Sequence, residues 1–183
     1  MNACTNCYSL TEIDLPNTVE YLGEACFLFC TNLTKVKLPT GIVQLPSHCF
    51  SECTSLKEIN FPNTIREIGS SCFYKCEKWE GEVIIPEGVT IIPHGCFWGC
   101  KSLAKIILPD GIQELGELCF YGCESLNSIS IPCTVQKLGT FCLVISKNLK
   151  ELRVYIKDVP EDFSGYINYG RFKENSNPLA ELV

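Results

Sequence analysis

The chain of 183 residues has one Met, two His and two Trp, and no apolar run approaches the roughly 20 residues that a membrane-crossing helix needs. With so few His, the commonest general base and the commonest nitrogen ligand of metals are missing from most of the chain. Positive charge is also short: 15 Lys and Arg face 21 Asp and Glu, a formal net charge of -6. The pI is near 5.0. A nucleic-acid backbone or an anionic membrane surface would call for a basic patch, so neither partner is expected. Met1 to Asn6 carry no basic segment leading into an apolar stretch, so no signal peptide or membrane insertion is expected in these residues.

What is present is a globular composition, 46% hydrophobic and 20% charged, together with fourteen Cys. That many Cys in a short chain without a core would point to a disulfide framework. Here their spacing points elsewhere. From Cys7 the chain reads as six rows of about 23 residues, opening at Cys7, Cys30, Cys53, Cys76, Cys100 and Cys123, and the fourth row has one extra residue near Glu80 or Gly81. A partial seventh row starts at Ser146, and Met1 to Asn6 match only the end of a row. The domain reading is one solenoid over 1–183: 1–6 the end of a truncated repeat, 7–145 six repeats, 146–155 a partial seventh, and 156–183 a C-terminal cap or tail. Because a native solenoid end normally carries an atypical polar cap, the array is expected to begin inside a longer one.

Each row opens with apolar residues such as Leu10, Ile13 and Leu15, the last two alternating as in a strand with one buried face. A Pro follows in every row (Pro16, Pro39, Pro62, Pro86, Pro109, Pro132). Lacking an N–H, it marks where a hydrogen-bond ladder between rows must stop. Apolar residues then recur at Val19, Leu22, Cys26, Phe27 and Cys30, spacings that predict a bent return segment with a short strand and a helical or 3₁₀ turn near the Phe. One column alternates Gly and Pro (Gly23, Pro46, Gly69, Pro93, Gly116, Gly139), so its φ must lie near the value Pro imposes, about −65°, and a left-handed turn is excluded there. Another column, Thr18, Gly41, Thr64, Gly88, Gly111 and Thr134, is expected to switch between two turn types. One row alone cannot offset the cost of ordering its backbone, about 1–2 kcal/mol per residue, with half-buried side chains. Stacked rows bury one another and give one continuous core about seven coils long, with a parallel strand ladder along one side.

The pattern C-x-x-L-x-x-I-x-L-P-x-x-V-x-x-L-G-x-x-C-F resembles the BspA-like leucine-rich repeat family over roughly Cys7 to Val154. The resemblance implies a leucine-rich-repeat solenoid, placed at the cell surface or secreted, that adheres to host, matrix or other surface proteins. It carries no catalytic residues and implies no cofactor.

The Cys fall into two columns, Cys26, Cys49, Cys72, Cys96, Cys119, Cys142 and Cys7, Cys30, Cys53, Cys76, Cys100, Cys123. Zinc sites pair Cys with C-x-x-C or His partners, and neither His48 nor His94 sits in a matching column. Stacked strands lie about 4.8 Å apart, against about 3.8 Å between bridged Cβ atoms, so buried free thiols are expected instead of disulfides between rows. Cys133 alone lies in a column of polar residues (Asn17, Thr40, Asn63, Glu87, Asp110) and is expected to be the exposed, most reactive thiol. A nucleophilic triad needs a base beside Ser or Cys, which two isolated His do not offer, so no enzyme activity is expected.

Function is sought where the repeat leaves side chains outside. Two lines should project from the strand ladder: Glu12, Lys35, Glu58, Glu82, Lys105, Ser128 and Glu151, and Asp14, Lys37, Asn60, Ile84, Ile107, Ser130 and Arg153. Glu and Lys neighbours can simply support a sheet. Ile84 and Ile107 place adjacent apolar groups on a polar face, beside the extra residue, and mark the expected partner-binding patch. A further line, Leu28, Tyr74, Trp98, Tyr121 and Val144, reads as packing along an edge, or alternatively as a groove for a peptide or glycan. The functional expectation is a protein-binding module acting through the strand face. A passive spacer within a larger surface protein and an intracellular scaffold are the alternatives.

Overall fold

Strands this short, each closed by a Pro, can pair only with the same segment of the next row, and they do. The computed structural model describes residues 4–144, 149–155 and 180–181. Its strands are β1 (Glu12–Asp14), β2 (Lys35–Lys37), β3 (Gln44–Leu45), β4 (Glu58–Ile59), β5 (Glu67–Ile68), β6 (Gly81–Ile84), β7 (Ile91–Ile92), β8 (Leu103–Ile107), β9 (Glu114–Leu115), β10 (Ser128–Ile131), β11 (Lys137–Leu138), β12 (Glu151–Val154) and β13 (Ala180–Glu181). Row openings pair in parallel and in register, for example Ile13 with Val36 and Val36 with Ile59. β12 continues that ladder from the partial seventh row, with Ser128 opposite Glu151. β13 adds an antiparallel edge to β12. The rest of the expected C-terminal cap or tail lies outside the described residues, as does Ser146.

The return segment holds a second set of parallel pairs, and its interruptions follow from Pro. Gly69, Gly116 and Gly139 donate their N–H groups to Leu45, Ile92 and Leu115 of the preceding row at 2.7, 2.6 and 2.6 Å. Pro46 and Pro93 occupy the same column and have no N–H to donate. The set accordingly divides into β3–β5 and β7–β9–β11. The expectation for this Gly and Pro column holds, since none of its Gly has a positive φ.

Two expectations about turns are corrected. The Thr and Gly column does not switch turn type. In all six rows the residue after it donates to the carbonyl of the Pro, from Val19 to Pro16 through Val135 to Pro132, and no residue of the column has a positive φ. Thr fits the same turn because its hydroxyl bonds to the previous row, as Thr64 to Thr40 O at 2.9 Å and Thr134 to Asp110 O at 2.6 Å.

Nor is there a helical or 3₁₀ segment near the Phe; among the described residues there is no helix. In the second row, Cys49, Ser51 and Cys53 donate to Pro46, His48 and Phe50 in successive turns, while His48, Phe50 and Glu52 donate to Ser70, Cys72 and Tyr74 of the next row. A helix would direct every N–H along its own axis. Here alternate N–H groups point to the neighbouring coil, and a left-handed residue on each side of the Phe makes this possible. Those residues are Ala25 and Phe29, His48 and Glu52, Ser71 and Lys75, then Gly95 and Gly99 in the fourth row.

Left-handed backbone costs a non-glycine residue about 1–2 kcal/mol. Three hydrogen bonds to the next row, each about 0.5–1.5 kcal/mol, and one Phe buried for about 1.5–3 kcal/mol offset two such residues per coil. Phe50, Phe73, Phe97 and Phe120 are fully buried. With Phe27 they form a column of stacked rings whose centroids lie 5.3, 5.7, 5.4 and 5.8 Å apart.

Both strand ladders are interrupted between the third and fourth rows, where β4 does not pair with β6 and β5 does not pair with β7. The extra residue near Gly81 also disturbs the other side of β6, where the register shifts between Gly81 and Glu82 in the pairing with β8 of the fifth row. Larger side chains fill the space. Trp79 stands in the column of Leu10 and Leu33 and packs against Phe61, Phe73 and Phe97, at 6.0, 5.1 and 6.1 Å between ring centroids. The arc remains continuous, with Ser71, Phe73 and Lys75 bonded to His94, Cys96 and Trp98.

The Gly column yields a stability prediction. A Cβ on Gly116 would lie 2.6 Å from His94 N, while one on Gly41 would meet nothing within 4 Å. Gly116→Ala should therefore cost about 1–3 kcal/mol, whereas Gly41→Ala should be neutral or stabilising by about 0.4–1 kcal/mol. Urea melts of the two variants check this, and equal stabilities would contradict it.

Candidate functional site

The strand ladder sets out two lines of side chains, and the structure brings most of them into pairs. Asp14 and Lys37 meet at 2.8 Å, Lys35 and Glu58 at 2.9 Å, and Glu82 and Lys105 at 2.7 Å, all between rows. Glu12 lies opposite Lys35 and adds to the field that raises the pKa of that Lys, behind the larger effect of Glu58. The Lys and acid groups of this face therefore largely neutralise one another. Asn60 is exposed, but its Oδ1 accepts the Leu38 N–H at 2.8 Å. In the corresponding places the backbone oxygens of Lys37 and Ile107 accept from Leu15 and Ile85.

Ile84 and Ile107 stand in direct register and are 58% and 36% exposed. No polar group of their own occupies that part of the face, and the Glu82–Lys105 pair flanks them. Because the ladder stops between β4 and β6, the charged pairs of the first three rows and this aliphatic pair lie on separate sheets. Ser130 and Arg153 continue the line on β10 and β12. Ser128 is half-buried, and the Glu151 side chain lies outside the described residues.

The aromatic line forms on the arc. Tyr74, Trp98 and Tyr121 contact edge to face down three rows, with centroids 5.2 and 5.7 Å apart. Lys75 Nζ lies 4.9 Å from the centre of the Tyr74 ring and pairs with Glu52 at 2.8 Å.

Both Cys columns are buried apart from the half-buried Cys7, all fourteen thiols are free, and Cys133 is exposed. The second column does more than fill space. Cys53, Cys76, Cys100 and Cys123 donate S–H to the carbonyls of Phe27, Phe50, Phe73 and Phe97, each 26 or 27 residues earlier in the chain, at 3.2–3.3 Å. Burial pushes Cys96, Cys100 and Cys119 well up, and Cys123 and Cys142 up to about 12. These thiols stay protonated and unreactive at neutral pH.

His94 and Glu117 approach to 3.7 Å on the exposed surface, and His48 lies in another row. Among the described residues no cluster of three or more His, Cys, Asp or Glu could hold a metal ion. Sequence reasoning missed the left-handed pair in each row and the S–H donors. Gly95, Gly99 and Gly122 were the available signal for the first, because three of the four positive-φ Gly fall in those two columns.

An alkylating reagent at neutral pH is expected to modify Cys133 before the buried thiols, with Cys96, Cys100, Cys119, Cys123 and Cys142 reacting only on unfolding. Peptide mapping of the partly labelled native protein checks the order, and early modification of Cys123 or Cys100 would contradict it.

Among known proteins, the pattern described as the BspA type leucine rich repeat region, in six copies, matches residues 1–81 and 80–176. Solved structures are similar as well. A leucine rich cell surface protein of Faecalibacterium prausnitzii is 32% identical with a TM-score of 0.76, over 81% of this chain and 40% of that one. A leucine-rich repeat protein of Bacteroides ovatus is 30% identical with a TM-score of 0.70, over 84% of this chain and 43% of that one. A leucine rich repeat protein of T. pallidum is 30% identical with a TM-score of 0.55, over 69% of each chain. The chain thus spans less than half the length of the first two. No curated protein matches it.

Proposed function

The chain belongs to the BspA type leucine-rich repeat family, and from that premise we propose that it is a protein-binding module of a cell-surface protein, engaging its partner through the strand face around Ile84 and Ile107. The observation that carries this reading is the exposed, in-register pair of Ile on β6 and β8, beside the register shift between Gly81 and Glu82. An aliphatic pair bordered by a neutralised ion pair is the kind of centre that protein interfaces use, an apolar core with a polar rim. It suits a partner presenting an aliphatic or aromatic anchor more than a strongly charged one, because the face keeps few unpaired charges. The placement at the cell surface is supported by the F. prausnitzii relative, which is a cell surface protein. Matrix or host proteins are the partner class this placement implies.

A passive spacer is the competing reading, and the ion pairs that join successive rows favour it, since they need no ligand to explain them. The two differ in a direct measurement. The chain should bind immobilised extracellular matrix proteins in a surface-plasmon assay, and Ile84→Glu combined with Ile107→Glu should weaken that binding by at least about tenfold while the melting temperature holds. Absence of binding to every matrix protein favours the spacer, and binding that survives the double substitution removes the patch.

A further inference from the structure

The strongest unassigned feature lies on the arc, away from the strand ladder. The aromatic line runs Leu28, Ser51, Tyr74, Trp98, Tyr121, Val144, and in the second row the small Ser51 leaves a notch. Over that notch sits a cavity of about 320 Å³ lined by Leu28, Phe29, His48, Ser51, Glu52, Ser71, Tyr74 and Trp98. The volume is at the lower end of the range for small-ligand sites, roughly 300–1,000 Å³.

The lining has a definite chemistry. Phe29, Tyr74 and Trp98 supply aromatic walls. Ser51 and Ser71 are 2% and 8% exposed. Their hydroxyls have no protein partner among the described residues, yet neither is sealed from solvent. Glu52 is already paired with Lys75, whose ammonium also lies against the Tyr74 ring. The one carboxylate is thus neutralised and held in place, and it keeps a second oxygen to accept hydrogen bonds. His48 adds a ring nitrogen pair at the rim. The site therefore combines aromatic surface with several neutral donors and acceptors, and it offers no unpaired fixed charge to draw in an ion.

We propose that this notch binds one pyranose unit of a neutral glycan. A pyranose presents an apolar C–H face that packs on aromatic rings and a belt of hydroxyls that both donate and accept, which matches Ser51, Ser71, His48 and the free oxygen of Glu52. A peptide fits less well. Extended peptides dock by adding main-chain hydrogen bonds to an open edge, and the arc amides beside the notch, His48, Phe50 and Glu52, are all committed to the next row. A quaternary ammonium would be held over aromatic ring faces, and the Lys75 ammonium already lies over the Tyr74 ring. The notch lies on a different face from the Ile84 and Ile107 patch and is independent of it.

The test uses the full chain with cellohexaose, laminarihexaose, maltohexaose and chitohexaose as probes, and a Pro-rich peptide as the contrasting ligand, followed by calorimetry and Trp fluorescence. At least one oligosaccharide should bind saturably and perturb the emission of Trp98, since Trp79 is 4% exposed and shielded in the core. Ser51→Tyr fills the notch with the residue the same column carries at Tyr74 and Tyr121, so the fold should tolerate it, and affinity should fall at least about tenfold. Trp98→Ala should do the same, whereas Ile84→Glu with Ile107→Glu should leave sugar binding unchanged. The proposal is overturned if no oligosaccharide binds, if binding survives both Ser51→Tyr and Trp98→Ala, or if only the Pro-rich peptide binds at the notch.

Discussion

In each of the first five rows, three amides of the arc leave their own row and bond to the next, and the rest of the structure depends on that arrangement. The segment around each Phe is crowded on its inner side by the Phe column and the Cys columns, so its backbone cannot be shielded by side chains. Its polar groups must be satisfied by other backbone, since a buried unpaired N–H or C=O costs about as much as a lost hydrogen bond. Alternating the direction of the amides solves this for donors. The S–H groups of Cys53, Cys76, Cys100 and Cys123 add a second donor to the Phe carbonyls. The requirement for two left-handed residues per coil follows directly, and so does the absence of helix among the described residues.

That same arc lets the strand side vary. The fourth row carries an extra residue, a bulge against the fifth row and a Trp in a Leu column, and both strand ladders stop between it and the third row. Six arc residues, Ser71, Phe73 and Lys75 with their acceptors His94, Cys96 and Trp98, keep the coils joined there. The break also sorts the surface. The charged zipper of Asp14, Lys37, Lys35 and Glu58 lies on one side of it, and Ile84 and Ile107 on the other. A solenoid whose neighbours touch only their neighbours can tolerate such a local change, because no distant contact has to be rebuilt.

Much of this was legible in the sequence for a physical reason: stacked rows put residues of one column in one environment. The Pro column predicted where pairing ends, the Phe column predicted the ring stack, and the misplaced Cys133 and outward Ile84 and Ile107 are exposed as their columns required. What escaped the sequence is backbone conformation where side chains give no consensus. Ala, His, Ser, Gly, Leu and Phe share one left-handed column, because the hydrogen bonds to adjacent rows, and not the residue type, hold that conformation. The two supposed turn types proved to be one because Thr hydroxyls can bond across rows. The Ser51 notch escaped for a simpler reason: it is a small residue in a line read for its large ones.

The arc hydrogen bonds, and not the strand ladder, hold successive coils together. Native-state hydrogen exchange measures this most directly, amide by amide. The amides of Phe50, Phe73 and Phe97 should exchange only through global unfolding, and Ser71, Phe73 and Lys75 should be as protected as arc amides elsewhere, although they cross the break in both ladders. Fast exchange at Ser71, Phe73 and Lys75, with the strand amides of Val36 and Ile106 the slowest in the protein, would contradict it.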